Sequence, residues 1–292
     1  MKSCINLIIT ILLLVPLAMK AQTVSGTLYK IPQQKVYLNA YTGFFLATID
    51  SVMMDQNGYV AFNTPLKTGM YMLETELGNG FDFIYDGNPV SFMMPNSNDW
   101  KSVQFIRSEI NTEWLQYQIR KDETFSSQEP LKQIMRDNNK NTEPFLQAKR
   151  EYDSIQNDFH DFTDDLLNNN NNYAAKLIRV DRPSLINLDY DFDKQRDDMI
   201  EHFFDDIDFK DTTLIPTNVI TTKIIDYLGV VQHSKQSSKG QIFAIIMGVD
   251  NVLRLSTKSY AMYKFVFQYL IEGFNQFKFY DYVDYMSRLP YV

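Results

Sequence analysis

The chain has 292 residues, of which 45% are hydrophobic and 14% aromatic, with 28 Lys and Arg against 36 Asp and Glu, three His and one Cys. That length and apolar content support real cores and about two domains, and they exclude a disordered or fibrous chain. A formal charge of −8 with no basic stripe excludes the electrostatic footprint of a nucleic-acid binder and disfavours anionic lipid surfaces.

Lys2 precedes an apolar run over 5–18, followed by Met19-Lys20-Ala21-Gln22. This order reads as the charged, apolar and cleavage regions of a secretory signal peptide. Asn6, Thr10 and Pro16 interrupt the run, which is short for a bilayer span. The expectation is a signal peptide over 1–21, cleavage after Ala21, export to the periplasm or outer cell envelope, and no transmembrane segment in the mature chain. Cys4 lies before the apolar run, not after it as a lipid anchor requires. Cleavage removes Cys4, Lys2 and Lys20, taking the formal charge from −8 to −10. The mature chain then holds no thiol, so disulfides, cysteine nucleophiles, thiolate metal sites and CxxC redox motifs are excluded within it.

From Thr23 to Met94 the pattern has the period of strands: 36–38, 44–52, 59–62, 70–73, 81–85 and 90–94, punctuated by Gly, Asn, Asp and Pro. Seven short strands are expected. Asn57-Gly58 suits a hairpin whose two central residues both take positive φ. An antiparallel β-sandwich or open barrel over 22–98 follows.

Beyond Asn96 the period becomes helical, and 99–292 reads as an all-helical domain. Phe145, Ala148, Tyr152, Ile155, Phe159, Phe162 and Leu166 alternate by threes and fours and mark one buried stripe, with Thr142 as N-cap and Pro144 in the first turn. Further helices are expected over 109–120, 130–136, 173–180, 195–204, 218–228, 241–255, 260–273 and 280–289. The five-Asn run 168–172 suits a solvated turn. The fold class is therefore α+β, a β domain followed by a helical one.

Asp189-Tyr190-Asp191-Phe192-Asp193 places carboxylates at alternate positions, as the first half of a calcium loop does. Lys194 and Ile200 stand where Gly and Glu would be needed, so a charged loop or helix cap is the preferred reading. His202 and Asp206 have i,i+4 spacing, yet two ligands make no zinc site, and His160 and His233 sit in unrelated contexts. Serine-elbow and phosphate-cradling glycine motifs are missing from the chain. No catalytic residue, metal ligand or cofactor-binding residue is assigned, and no cofactor is expected. Tyr41, Phe44, Phe45, Trp100 and Trp114 are the candidate partner-binding residues, since aromatics supply rigid contact area. Packing in the core or between the two halves is the preferred alternative for them.

Val24-Ser25-Gly26, Lys35-Val36-Tyr37-Leu38, Ile49-Asp50-Ser51-Val52 and Asn57-Gly58-Tyr59-Val60-Ala61-Phe62 follow one another in order. Gly69-Met70-Tyr71-Met72-Leu73 and Phe81-Asp82-Phe83-Ile84 complete the series. The series resembles the N-terminal module of exported thioredoxin-like, thiol:disulfide interchange proteins of Gram-negative bacteria. The helices beyond, with 202–209 and Asp211, resemble the spacer such proteins carry. The resemblance implies an envelope protein tied to thiol-redox or stress systems, with a thioredoxin-like domain or another envelope protein as partner. In that family a CxxC-bearing domain follows the spacer, whereas this sequence ends at Val292, so no redox residue is carried over. The expected function is a non-catalytic, exported accessory or binding module. One alternative is the accessory part of an oxidoreductase whose catalytic domain is missing or supplied in trans. Another is an envelope carbohydrate-binding protein.

Overall fold

The computed structural model describes residues 23–232 and 237–289. The expected signal peptide over 1–21, with Cys4, and His233 lie outside the described residues. The architecture is α+β: two four-stranded sheets precede a helical region. The strands are β1 (Val24–Leu28), β2 (Lys35–Thr42), β3 (Phe45–Met53), β4 (Tyr59–Phe62), β5 (Gly69–Thr75), β6 (Gly80–Tyr85), β7 (Val90–Met94) and the two-residue β8 (Gln104–Phe105). One sheet has the order β4-β1-β7-β8 and the other β3-β2-β5-β6. Their inner faces share one core, built from alternate residues such as Val36 and Leu38 of β2, Leu73 of β5 and Val90, Phe92 and Met94 of β7. Phe81 meets Phe92 edge-on across that core at 4.9 Å between ring centroids. Of the expected pair of architectures it is the sandwich, since the sheets do not close on each other.

Three details differ from the sequence expectation. β1 pairs with β7 in parallel, Val24 opposite Val90 through Leu28 opposite Met94, while the other pairings are antiparallel. β8 continues the first sheet beyond residue 98. The turn at Asn57-Gly58 joins two different sheets, and only Gly58 takes positive φ, at 81°. The Asp55 side chain supplies the reason, because its Oδ1 accepts from the amides of both Asn57 and Tyr59 at 2.8 Å, an Asx turn that leaves Asn57 out of the left-handed region. A Cβ at Gly58 would lie 2.1 Å from the Leu28 carbonyl oxygen, so the position requires glycine.

The helices are α1 (Glu109–Asp137), α2 (Glu143–Asn169), α3 (Tyr173–Asp181), α4 (Phe192–His202), α5 (Val219–Val231), α6 (Ser238–Ser256), α7 (Tyr260–Gln276) and α8 (Tyr280–Met286). The expected break between 120 and 130 is absent: α1 runs straight through Pro130. Proline removes the bond to the Ser126 carbonyl, but both residues are exposed, so water can take that bond. Leu131, just beyond Pro130, packs with Ala148 and Tyr152 of α2 and holds the continuation in place. The α2 stripe faces inward as its spacing requires, with Ala148, Tyr152 and Phe159 buried. The larger helical core is assembled from α3, α5, α6 and α7, around residues such as Leu177, Ile220, Ile224, Val252 and Val266. Among the described residues no helix is long and apolar enough to cross a membrane.

The two regions are sewn together through the outer face of the second sheet. Met70 of β5 and Ile84 of β6 belong to the helical core. Asn111 of α1, fully buried, accepts from the Ile84 amide at 2.6 Å and donates to the Ile84 carbonyl at 2.8 Å, so one side chain takes the place of a further strand at the β6 edge. The Gly43 and Met70 amides donate to the carbonyls of Ile215 and Pro216 at 3.1 and 2.9 Å. These bonds satisfy edge groups that would otherwise be buried without partners.

Candidate functional site

A cavity of about 620 Å³ opens within the helical region. It lies beside the small cluster of Leu131, Ala148 and Tyr152, which is separate from the main helical core. Its apolar walls come from five places: Met135 of α1, Phe145 of α2, Ile186 and Leu188 of the segment before α4, Met199 of α4, and Val230 near the end of α5. Helices whose stripes serve two separate clusters leave a seam between them, and this cavity occupies it.

Among the described residues, every charged residue in the lining is a cation: Lys132, Arg136, Lys140 and Arg196. This occurs in a chain whose acids outnumber its bases. Lys132, Arg136 and Lys140 follow at intervals of four, the first two on one face of α1 and the third just past its end. Glu129 lies 3.7 Å from Lys132 and 3.2 Å from Arg136, while Asp193 and Asp197 stand 3.7 and 3.1 Å from Arg196. Among the described residues Lys140 has no ion pair within 4 Å. Tyr152 also lines the cavity, and burial, helped by Asp153 and Glu129, pushes its hydroxyl up to about 12, so it stays a neutral donor at physiological pH. Tyr190, at the wall, carries the Lys194 ammonium 3.7 Å from its ring centroid, a cation–π contact. The lining is thus an apolar slot with a basic mouth.

The aromatic residues singled out from the sequence divide between two places. Tyr41, Trp100 and Trp114 line a second cleft, about 270 Å³, between the outer face of the second sheet and α1. Phe44 and Phe45 stand apart at the β2–β3 turn, 67% and 39% exposed, with Phe45 edge-on to Tyr269 of α7 at 6.1 Å. Trp114, only 5% exposed, packs on Tyr117, whereas Trp100 is 36% exposed. Asp82 of β6 also lines this cleft and accepts a hydrogen bond from the Tyr41 hydroxyl at 2.8 Å. Burial raises the Asp82 carboxyl to about 6, with the Tyr41 bond pulling the other way. Burial and the Asp82 charge in turn hold the Tyr41 hydroxyl far above its ordinary range.

The remaining polar candidates are engaged elsewhere. Asp189 pairs with Lys149, and Asp191 caps α4 by accepting from the Lys194 amide at 2.9 Å. The His202–Asp206 pair does not form on one helix face because α4 ends at His202; the imidazole instead meets Asp205 at 2.8 Å, which raises its pKa. His160 Nε2 lies 3.0 Å from the Pro183 carbonyl. Among the described residues no group of three or more His, Cys, Asp or Glu is placed to hold a metal.

The basic mouth was not identified from the sequence. Its signal was the four-residue spacing of Lys132, Arg136 and Lys140, which the negative total charge concealed. Asp82 was missed as well, because a carboxylate between Phe81 and Phe83 fits the ordinary alternation of a strand and reads as outward-facing.

No family model, curated protein or solved structure matches this chain. The resemblance to modules of exported thioredoxin-like proteins rests on its residue pattern.

Proposed function

We propose that the chain is an exported, non-catalytic binding protein whose helical cavity takes a single-chain amphiphile with an anionic headgroup. The observation that carries this reading is an apolar cavity of about 620 Å³ whose charged lining residues are all cations. Ligand sites fall at roughly 300–1,000 Å³, mostly apolar with a few placed polar groups. An acyl or alkyl chain would remove the walls of Met135, Ile186, Leu188 and Met199 from water, at about 0.8 kcal/mol per methylene buried. The headgroup would sit among Arg136, Lys140 and Arg196, where planar guanidinium groups suit carboxylate, sulfate or phosphate oxygens. The overall negative charge opposes docking on an anionic bilayer but leaves this local basic mouth intact. The Lys2-led apolar run supports export, which N-terminal sequencing of the mature protein would check at Gln22.

The test is competition for a fluorescent dansyl-undecanoate probe. Laurate should displace the probe, and dodecyltrimethylammonium should not. Arg136→Glu combined with Lys140→Glu, both on exposed side chains, should weaken laurate about tenfold or more, equivalent to about 1.4 kcal/mol. Equal displacement by laurate and neutral dodecanol would refute the headgroup assignment, and no probe binding at all would refute the cavity.

A further inference from the structure

The cleft between the outer face of the second sheet and α1 is chemically the opposite of the helical cavity. Four of its lining groups decide its character: the rings of Tyr41, Trp100 and Trp114, and the Asp82 carboxylate. Among the described residues, Asp82 is the only charged one in the lining. Its recorded side-chain hydrogen bond is the one from Tyr41, and no cation lies within ion-pair distance of it among the described residues. Two other inward-lying carboxylates are each matched by a lysine. Asp181 has the Lys121 ammonium at 2.7 Å, and Asp211 has that of Lys176 at 2.8 Å. Lys101, beside Trp100, lies 5.7 Å from that ring's centroid and is committed to Asp122 of α1.

A carboxylate withdrawn from water without a counter-charge is unfavourable, and the chain retains one here with aromatic rings around it. Aromatic faces carry negative potential and attract cations, most strongly where water is thinned out. A single carboxylate ringed by aromatics is therefore complementary to an organic cation. Anions would meet the Asp82 charge with no cation among the described lining residues to offset it. At about 270 Å³ the cleft is below the usual range for drug-sized ligands, which limits the guest to a small molecule.

We propose that this cleft is a binding site for a small arylalkyl primary amine, with Asp82 as counter-ion to the ammonium and Trp100, Trp114 and Tyr41 as the walls that hold the ring and the charge. The site is independent of the helical cavity, and neither proposal needs the other. Tyr41 acts as a positioning residue, its hydroxyl fixing one oxygen of Asp82 so that the other remains for the ligand.

The experiment is calorimetric titration of the full chain with phenethylamine at pH 8, with tryptophan fluorescence followed in parallel, since both tryptophans of the chain line this cleft. Saturable 1:1 binding with a change in tryptophan emission is expected, with 2-phenylethanol and phenylacetate at least tenfold weaker. Asp82→Asn, which keeps the shape and the acceptor for Tyr41 but removes the charge, should weaken phenethylamine tenfold or more while leaving laurate affinity unchanged. Trp100→Ala, at a partly exposed position, should weaken it several-fold and gives a second variant should Asp82→Asn fail to fold. The proposal is overturned by no binding of phenethylamine, by equal binding of 2-phenylethanol, or by undiminished binding in a cooperatively melting Asp82→Asn protein.

Discussion

Asp82 stores a cost in the unliganded protein that can be read as pH dependence. Its folded pKa of about 6 lies above the ordinary value of 3.8, so the folded state binds the proton more tightly than the unfolded chain does. Stability contributed by the protonated form is present at about pH 4 and is lost as pH rises through about 6. The groups beside it offset this only in part: Tyr41 of β2 stays neutral while its hydrogen bond favours the carboxylate, and Glu74 of β5 adds to the negative field at Tyr41. Asp82→Asn should therefore be more stable than the parent at pH 7–8, by on the order of 2–3 kcal/mol, with the difference closing toward pH 4. Urea melts of both proteins from pH 4 to 8 check this, and a constant difference across that range would contradict the assignment. A residue kept at such a cost is the reason to look for its ligand in the cleft.

At the scale of elements, the decisive contact is between α1 and the β6 edge. An open strand edge presents unpaired amides and carbonyls, and here the Asn111 side chain fills both valences of Ile84 from inside the first turn of α1. Asn111→Ala would strand a buried donor and acceptor, each costing roughly 1–3 kcal/mol, so a loss of about 2–4 kcal/mol is expected. Chemical denaturation would read it as a lower midpoint with an unchanged slope. A loss under about 1 kcal/mol would mean that water enters and replaces the amide. The opposite edge is left open: among the described strands β3 pairs with β2 alone, and both of its faces are exposed, with Phe45, Leu46, Ile49 and Met53 among the exposed residues. The helices were easier to read from the chain than these edges. The α2 stripe is a period of 3.6 within one segment, whereas the passage of α1 through Pro130 depends on Leu131 meeting α2 across a turn, and the parallel β1–β7 pairing joins residues more than sixty apart.

The whole molecule behaves as two architectures around interlocked cores. Met70 and Ile84 are β-strand residues in the helical core, the carbonyls of Ile215 and Pro216 complete hydrogen bonding at the sheet, and Phe45 meets Tyr269. Chains of this length commonly unfold in stages, and the shared core argues against that here. Tryptophan fluorescence, which reports the junction through Trp100 and Trp114, and far-ultraviolet circular dichroism, which reports mainly the helices, should give coincident urea midpoints. Midpoints separated by more than roughly 0.5 M, equivalent to about 0.5–1.5 kcal/mol at ordinary urea slopes, would show that the regions unfold independently.

Periodicity and punctuation in the sequence by themselves determined the α+β class, the order of strands before helices and most helix positions. These depend on residues a few places apart in one segment, where strand and helix geometry act directly. The location and chemistry of the two cavities were decided by tertiary structure. The basic mouth needs Arg136 and Arg196 from helices sixty residues apart, and the aromatic cleft needs Tyr41, Asp82 and Trp114 from two strands and a helix. Composition averages such groups over the whole chain, and a negative total charge can conceal a positive mouth. Only packing brings four cations to one opening and leaves one carboxylate without a counter-ion among rings.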